Sequence, residues 1–229
     1  MWENVKTYVK ENLARMQREP EGILRYPYIV PGSDTYATTL WDWDSWWTCI
    51  AMGQAEEEEG VQGRFLKYEK GCILNFLDHM DADGRMPILI TNDTFLPEKE
   101  RDYWDKNNHK PVLAQHAAYI VEKCGDLEWL REHLSELETF VLFYKKYATH
   151  KETGLAYWFN DFAVGVDNEP IVYFRPDGSS AALYLNCLLY REELAMASLW
   201  ERAGETEKAQ FWRSSAEELA QAVRRYCWD

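Results

Sequence analysis

The feature that most constrains the fold is an alternation between two kinds of helical segment. Residues 2 to about 16 are amphipathic, and so are residues about 61 to 79, where Val61, Phe65, Tyr68, Cys72 and Phe76 share one face. Residues about 126 to 148 carry the stripe Leu127, Leu130, Leu134, Leu137, Val141, Tyr144, Ala148. Residues about 205 to 227 carry Ala209, Trp212, Ala216, Leu219, Val223, Tyr226. Steps of three and four residues put such side chains on one side of a helix. The segments between them differ. Residues about 42 to 55 are apolar and rich in Trp, and residues about 110 to 123 are nearly all apolar. Residues about 179 to 203 open with Asn186 as the lone polar residue between Ala181 and Tyr190. A one-sided helix lies on a surface, and one apolar all round is buried. The order is therefore outer, inner, outer, inner, outer, inner, outer. The inner helices begin near 42, 110 and 180, roughly 70 residues apart. This predicts about seven helices in a repeat of helical pairs, each burying its apolar face against the next.

The connections are asymmetric. Inner-to-outer links are short, with Gly125 and Gly204 marking two of them. Outer-to-inner links are long, at about 17–41, 80–109 and 149–179, and all eight prolines fall in them or at their ends. In an alternating array the long links emerge together at the N-terminal ends of the inner helices. Function concentrates on long loops held by a rigid scaffold, and that end carries the positive poles of the inner-helix dipoles.

Two short segments about 120 residues apart lie at this end. Thr-Leu-Trp-Asp-Trp-Asp-Ser-Trp-Trp (39–47) interleaves carboxylates with indoles, and Val-Gly-Val-Asp-Asn-Glu-Pro (164–170) places acids in a loop. An indole face suits the axial C–H groups of a sugar ring, while carboxylates accept its hydroxyls. For Asp42 and Asp44 the plain alternative is helix capping, which one acid would satisfy. Asp167 reads equally as an Asx-type turn and as a catalytic acid. At the start of the second inner helix, His109 and His116 suit core or capping positions, and Gln115 is the better candidate for a hydroxyl contact.

Other chemistries find no support. The net charge of −14, without a Lys/Arg cluster, argues against nucleic acid. No stretch is long or apolar enough to span a membrane, and the first 20 residues lack an apolar leader core. Five widely spaced cysteines without a Cys-x-x-Cys pair read as reduced core residues of a cytoplasmic protein. No metal or cofactor is expected. Residues 79–90 resemble a calcium loop, but His79 and Ile90 occupy its first and twelfth ligand positions. His-Glu-x-x-His, a Gly-rich phosphate loop and Gly-x-Ser-x-Gly are all missing from the sequence.

Four segments together resemble the family 63 glycoside hydrolases and the related mannosylglycerate hydrolases, with trehalases and glucoamylases more distant. They are Trp-Asp-Trp-Asp-Ser-Trp-Trp (41–47), Lys-Pro-Val-Leu-Ala-Gln-His-Ala (110–117), Gly-Val-Asp-Asn-Glu-Pro (165–170) and Leu-Tyr-Leu-Asn-Cys-Leu-Leu-Tyr-Arg-Glu (183–192). The resemblance implies an all-α (α/α)6 toroid and inverting, exo-acting hydrolysis of small α-linked sugars. It makes Asp167 the general acid. It makes Trp41, Trp43, Asp44 and Gln115 substrate-binding residues, and Asn168 and Arg175 are further candidates for that role. Two departures stand out: Val112 replaces a usual proline, and Asn-Asp-Phe-Ala-Val-Gly precedes Asp167 where relatives tend to have Glu-Ser-Gly. Asp161 and Glu169 are the possible substitutes. Nothing matches the family's general-base segment. The chain thus reads as a single domain, 1–229, forming the N-terminal part of an incomplete toroid. Its open edge is expected to expose Leu185, Leu188 and Leu189, and apolar patches of that kind drive association. The competing expectations are a non-catalytic carbohydrate-binding scaffold and a sugar epimerase on the same fold.

Overall fold

The computed structural model describes residues 2–32, 34–92 and 107–228. Seven long helices carry the fold: α1 (Trp2–Asn12), α2 (Asp42–Glu59), α3 (Leu66–Asp78), α4 (Leu113–Cys124), α6 (Leu134–Tyr147), α9 (Leu183–Arg202) and α10 (Thr206–Tyr226). Three one-turn helices lie in the connections: α5 (Glu128–Arg131), α7 (Asp161–Val164) and α8 (Pro170–Tyr173).

The inner helices stand side by side, α2 against α4 and α4 against α9, with α3 and α10 packed outside them and α6 against α9. These hairpins form an arc of the toroid type and not a closed barrel. The core between them is apolar in the expected places. Cys49 and Met52 of α2, Ala117 and Ile120 of α4, and Leu185, Met196 and Leu199 of α9 are buried, as are Leu130, Leu137, Phe140 and Val141 of the next outer segment. Each large aliphatic side chain so buried contributes about 1.5–3 kcal/mol. No helix among the described residues is long and apolar enough to cross a membrane.

Boundaries and burial differ from expectation in three places. The 126–148 stripe is broken: Leu130 N–H bonds to Leu127 O and His133 N–H to Leu130 O, so a tight turn separates α5 from α6. Helix α3 is not one-sided, because the segment before α2 covers its outer face. Gly71 lies directly against the Pro27 carbonyl, and buried Asn75 bonds both the N–H and the carbonyl of Tyr26, at 3.1 and 2.9 Å. The link at 80–109 falls partly outside the described residues, along with Pro97. On α9 the expected exposed flank is wrong by a fraction of a turn. Leu185 and Leu189 are buried and Leu188 half-buried, while Leu183, Cys187 and Leu194 face outward.

Two small antiparallel ladders brace the loop end. Strands β1 (Gln17–Arg18) and β2 (Tyr28–Ile29) pair beside α3. Strands β3 (Thr39–Trp41) and β4 (Leu89–Thr91) pair with Trp41 opposite Leu89, and the Asp42 N–H bonds Ile88 O at 2.9 Å. The second ladder fixes the backbone of the aromatic-acid segment as it enters α2.

Candidate active site

At the N-terminal ends of α2 and α4 lies a cavity of about 700 Å³. That is a volume suited to a small ligand. All its lining residues come from the three long connections and the adjoining helix starts. The first supplies Pro31 and Tyr36 with Trp41, Asp42, Trp43 and Asp44 of the α2 entry. The second supplies Ile88, Leu89 and Lys110, and the third Asp161, Phe162, Gly165, Asp167, Asn168 and Tyr173.

Asp42 and Asp44, two residues apart, have opposite fates. The N-cap of α2 is Trp41, which makes no side-chain cap hydrogen bond. Asp42 is fully buried and turns toward Lys110, whose Nζ donates to Oδ2 at 3.0 Å and Oδ1 at 3.2 Å and whose backbone N–H donates at 3.0 Å. Burial opposes its ionisation, yet the Lys110 ammonium and amide outweigh burial and hold the carboxyl below its ordinary value. Asp44 is half-buried. Burial, then the neighbouring Asp42 charge, push its carboxyl above the ordinary value.

The Asp167 loop is set by local rules. Asn160 caps α7 by accepting the Ala163 N–H at 3.1 Å, and Gly165 ends it in the left-handed region at φ +73°. Asn168 adopts φ +58°, the one described non-glycine residue with positive φ, and Pro170 starts α8 at a position tolerant of proline. The turn and the acid therefore coexist: the loop is a turn, and it carries Asp167 to the cavity, exposed. Buried Asn186 ties the same connection to α9 through the Ala156 N–H and carbonyl, at 2.8 and 2.9 Å.

A model of the mannosylglycerate hydrolase MGH1-like glycoside hydrolase domain matches residues 37–229. The chain belongs to this glycoside hydrolase family. Trehalase from Tenebrio molitor is 23% identical over 193 residues, covering 83% of this chain and 28% of that protein. Trehalase from Oryctolagus cuniculus is 28% identical over 138 residues, 60% of this chain and 20% of the relative. The chain thus matches no more than 28% of either enzyme's length. The crystal structure of an uncharacterized conserved protein from Thermus thermophilus superposes with a TM-score of 0.63 at 19% identity, covering 98% of this chain and 63% of that one. That likeness speaks for the fold.

Within this glycoside hydrolase domain, Trp41, Trp43, Asp44, Asp167 and Asn168 meet at one cavity. Gln115 and Arg175 do not line it. The Gln115 amide donates to Pro111 O, Leu188 O and Glu192 Oε2, at 2.9, 3.1 and 3.2 Å, and Arg175 lies exposed. His109 and His116 are buried, and burial lowers them to about 4 and about 3. His109 Nδ1 pairs with Lys110 O and His116 Nε2 with Cys49 Sγ, so both serve the core. Sequence reasoning missed two residues. Lys110 passed as the first letter of a proline segment. Glu192 stood only as the last residue of the 183–192 segment, yet it accepts the Ala114 and Gln115 N–H groups at 2.6 and 3.1 Å, capping α4 from α9. Burial raises its carboxyl to about 7. The signal for Glu192 was its three- and four-residue spacing from Leu189 and Met196, which puts a charge on the apolar face of the helix, where it needs a partner.

Proposed function

We propose that the cavity is the glycone subsite of an inverting, exo-acting α-glycosidase acting on small α-linked sugars. The observation that carries this reading is the meeting, in one cavity, of the Trp41–Asp44 segment and the Asp167 loop from connections far apart in sequence. Trp41 and Trp43 offer stacking faces, and Asp44 and Asn168 offer partners to ring hydroxyls. Burial and the neighbouring Asp42 charge raise the Asp44 carboxyl above its ordinary value, and its oxygens accept from ring hydroxyls. Asp167 protonates the leaving oxygen as general acid, and a bound substrate removes the solvent around it.

Inverting hydrolysis needs a second carboxylate on the opposite face of the ring, about 6.5–9.5 Å from the acid. We propose no residue of the described chain for that role. Asp161, from the same connection as Asp167, also lines the cavity.

The epimerase alternative fits less well. It needs histidines facing the pocket, and His109 and His116 are buried in the core away from the lining. A binding scaffold would keep the indoles but require no acid at position 167. Hydrolysis of a small α-glucoside by the full-length gene product, followed by 1H NMR, tests the reading. It predicts that β-configured sugar appears first and that Asp167→Asn abolishes its appearance. Initial α-configured product, or turnover unaffected by the substitution, refutes it.

A further inference from the structure

Among the cavity residues, Lys110 has no assigned part in binding or chemistry. Its side chain is 1% exposed, and that of its partner Asp42 is fully buried. Two of the three ammonium donors are accounted for by Asp42, at 3.0 and 3.2 Å. The ammonium also lies 4.6 Å from the centroid of the Trp43 ring, in cation–π range. A third element closes over both. A Cβ at Gly165 would lie 2.6 Å from Lys110 Cε, 2.8 Å from Nζ and 3.0 Å from Trp43 Cζ2. The loop that carries Asp167 is therefore seated on Lys110 and on the edge of the Trp43 indole.

A buried ion pair adds little net stability, because the desolvation of both ions offsets their attraction. Its geometric specificity is the more informative property here. Lysine with two carboxylate oxygens on one side and an indole face on the other has little freedom, and the indole it faces has correspondingly little. We propose that Lys110 is a positioning residue. Anchored by Asp42, it holds the Trp43 ring in its stacking orientation and seats the Gly165 turn, setting the platform against the Asp167 loop. The kinetic part of this inference rests on the glycosidase reading, and the positional part does not.

The test compares Lys110→Met with the double variant Asp42→Asn/Lys110→Met. The single variant leaves a buried carboxylate without its cation, so its Tm falls. The double variant removes both charges, and its Tm returns toward the wild-type value. Trp43 is followed in ligand-free protein labelled with 5-fluorotryptophan, its 19F resonance assigned by loss in Trp43→Phe. If Lys110 positions the indole, the double variant recovers its Tm but its Trp43 line is broadened or split. In the full-length gene product its KM for a neutral α-glucoside then rises about tenfold, in keeping with loss of a cation–π contact, while kcat falls by less. If Lys110 merely balances Asp42, the double variant regains both its Tm and a single line as narrow as the wild type's, and the proposal is overturned. A wild type that hydrolyses no glycoside defeats the glycosidase reading, and the fluorine spectrum still decides the position of Trp43.

Discussion

Glu192 makes the stability of the inner array depend on pH in an unusual direction. The folded chain keeps its proton up to about pH 7, against an ordinary value of 4.5. Between those values the folded state holds a proton that the unfolded chain has released. Stability therefore declines as pH rises through this window, and the loss is complete above about pH 7. At about 1.4 kcal/mol per pH unit, the gap is worth on the order of 3 kcal/mol. Glu192→Gln removes the titration and keeps one of the two acceptor oxygens that serve the Ala114 and Gln115 amides; the lost bond costs the variant the same at both pH values. Urea unfolding of wild type and variant at pH 5 and pH 8 isolates the effect, because other titrating groups cancel in the difference. The variant should gain on the order of 3 kcal/mol relative to wild type between the two pH values. A difference that stays flat, or wild type gaining on the variant as pH rises, would refute the reasoning and show that Glu192 is an ionised cap stabilised by the α4 dipole.

Three further outcomes are expected. Trp43→Ala in the full-length gene product should raise KM by tenfold or more, since an aromatic platform contributes about 1–3 kcal/mol, with little change in Tm; unchanged kinetics with a collapsed Tm would make Trp43 plain core. Gly71→Ala should lower stability by roughly 1–3 kcal/mol in thermal melts, because the new methyl meets the Pro27 carbonyl, and a wild-type melting curve would show that the covering segment is free to yield. The isolated 229-residue chain should self-associate at micromolar concentration through the outward face of α9, with Leu183→Ser/Leu194→Ser reducing association in analytical ultracentrifugation; a monomeric chain would contradict it.

The helices and their inner or outer placement were legible because burial is a property of whole segments. Seven long helices appear where the apolar patterns stood, and the long links converge on one cavity. That the Trp41–Asp44 segment and the Asp167 loop meet was legible because both lie on long links that emerge at the same end of the inner helices. What escaped was pairwise. Sequence could not tell that Asp42 is buried against Lys110 while Asp44 stays half-buried at the cavity, since both occupy the same helical turn. Nor could it show that Glu192 reaches across from α9 to cap α4. Whether Leu185 or Leu183 faces the open side depends on helix rotation, and a pattern apolar all round does not specify that.

The most direct test of the central claim is the leaving-group dependence of Asp167→Asn in the full-length gene product. A general acid matters in proportion to how badly the departing oxygen needs a proton. On an alkyl α-glucoside, with a poor leaving group, the substitution should lower kcat by about 10²–10⁴-fold. On a dinitrophenyl α-glucoside, which departs without protonation, the loss should be far smaller. Equal losses on the two substrates, or no loss on either, would contradict the account and transfer the role of acid to Asp161 or Glu169.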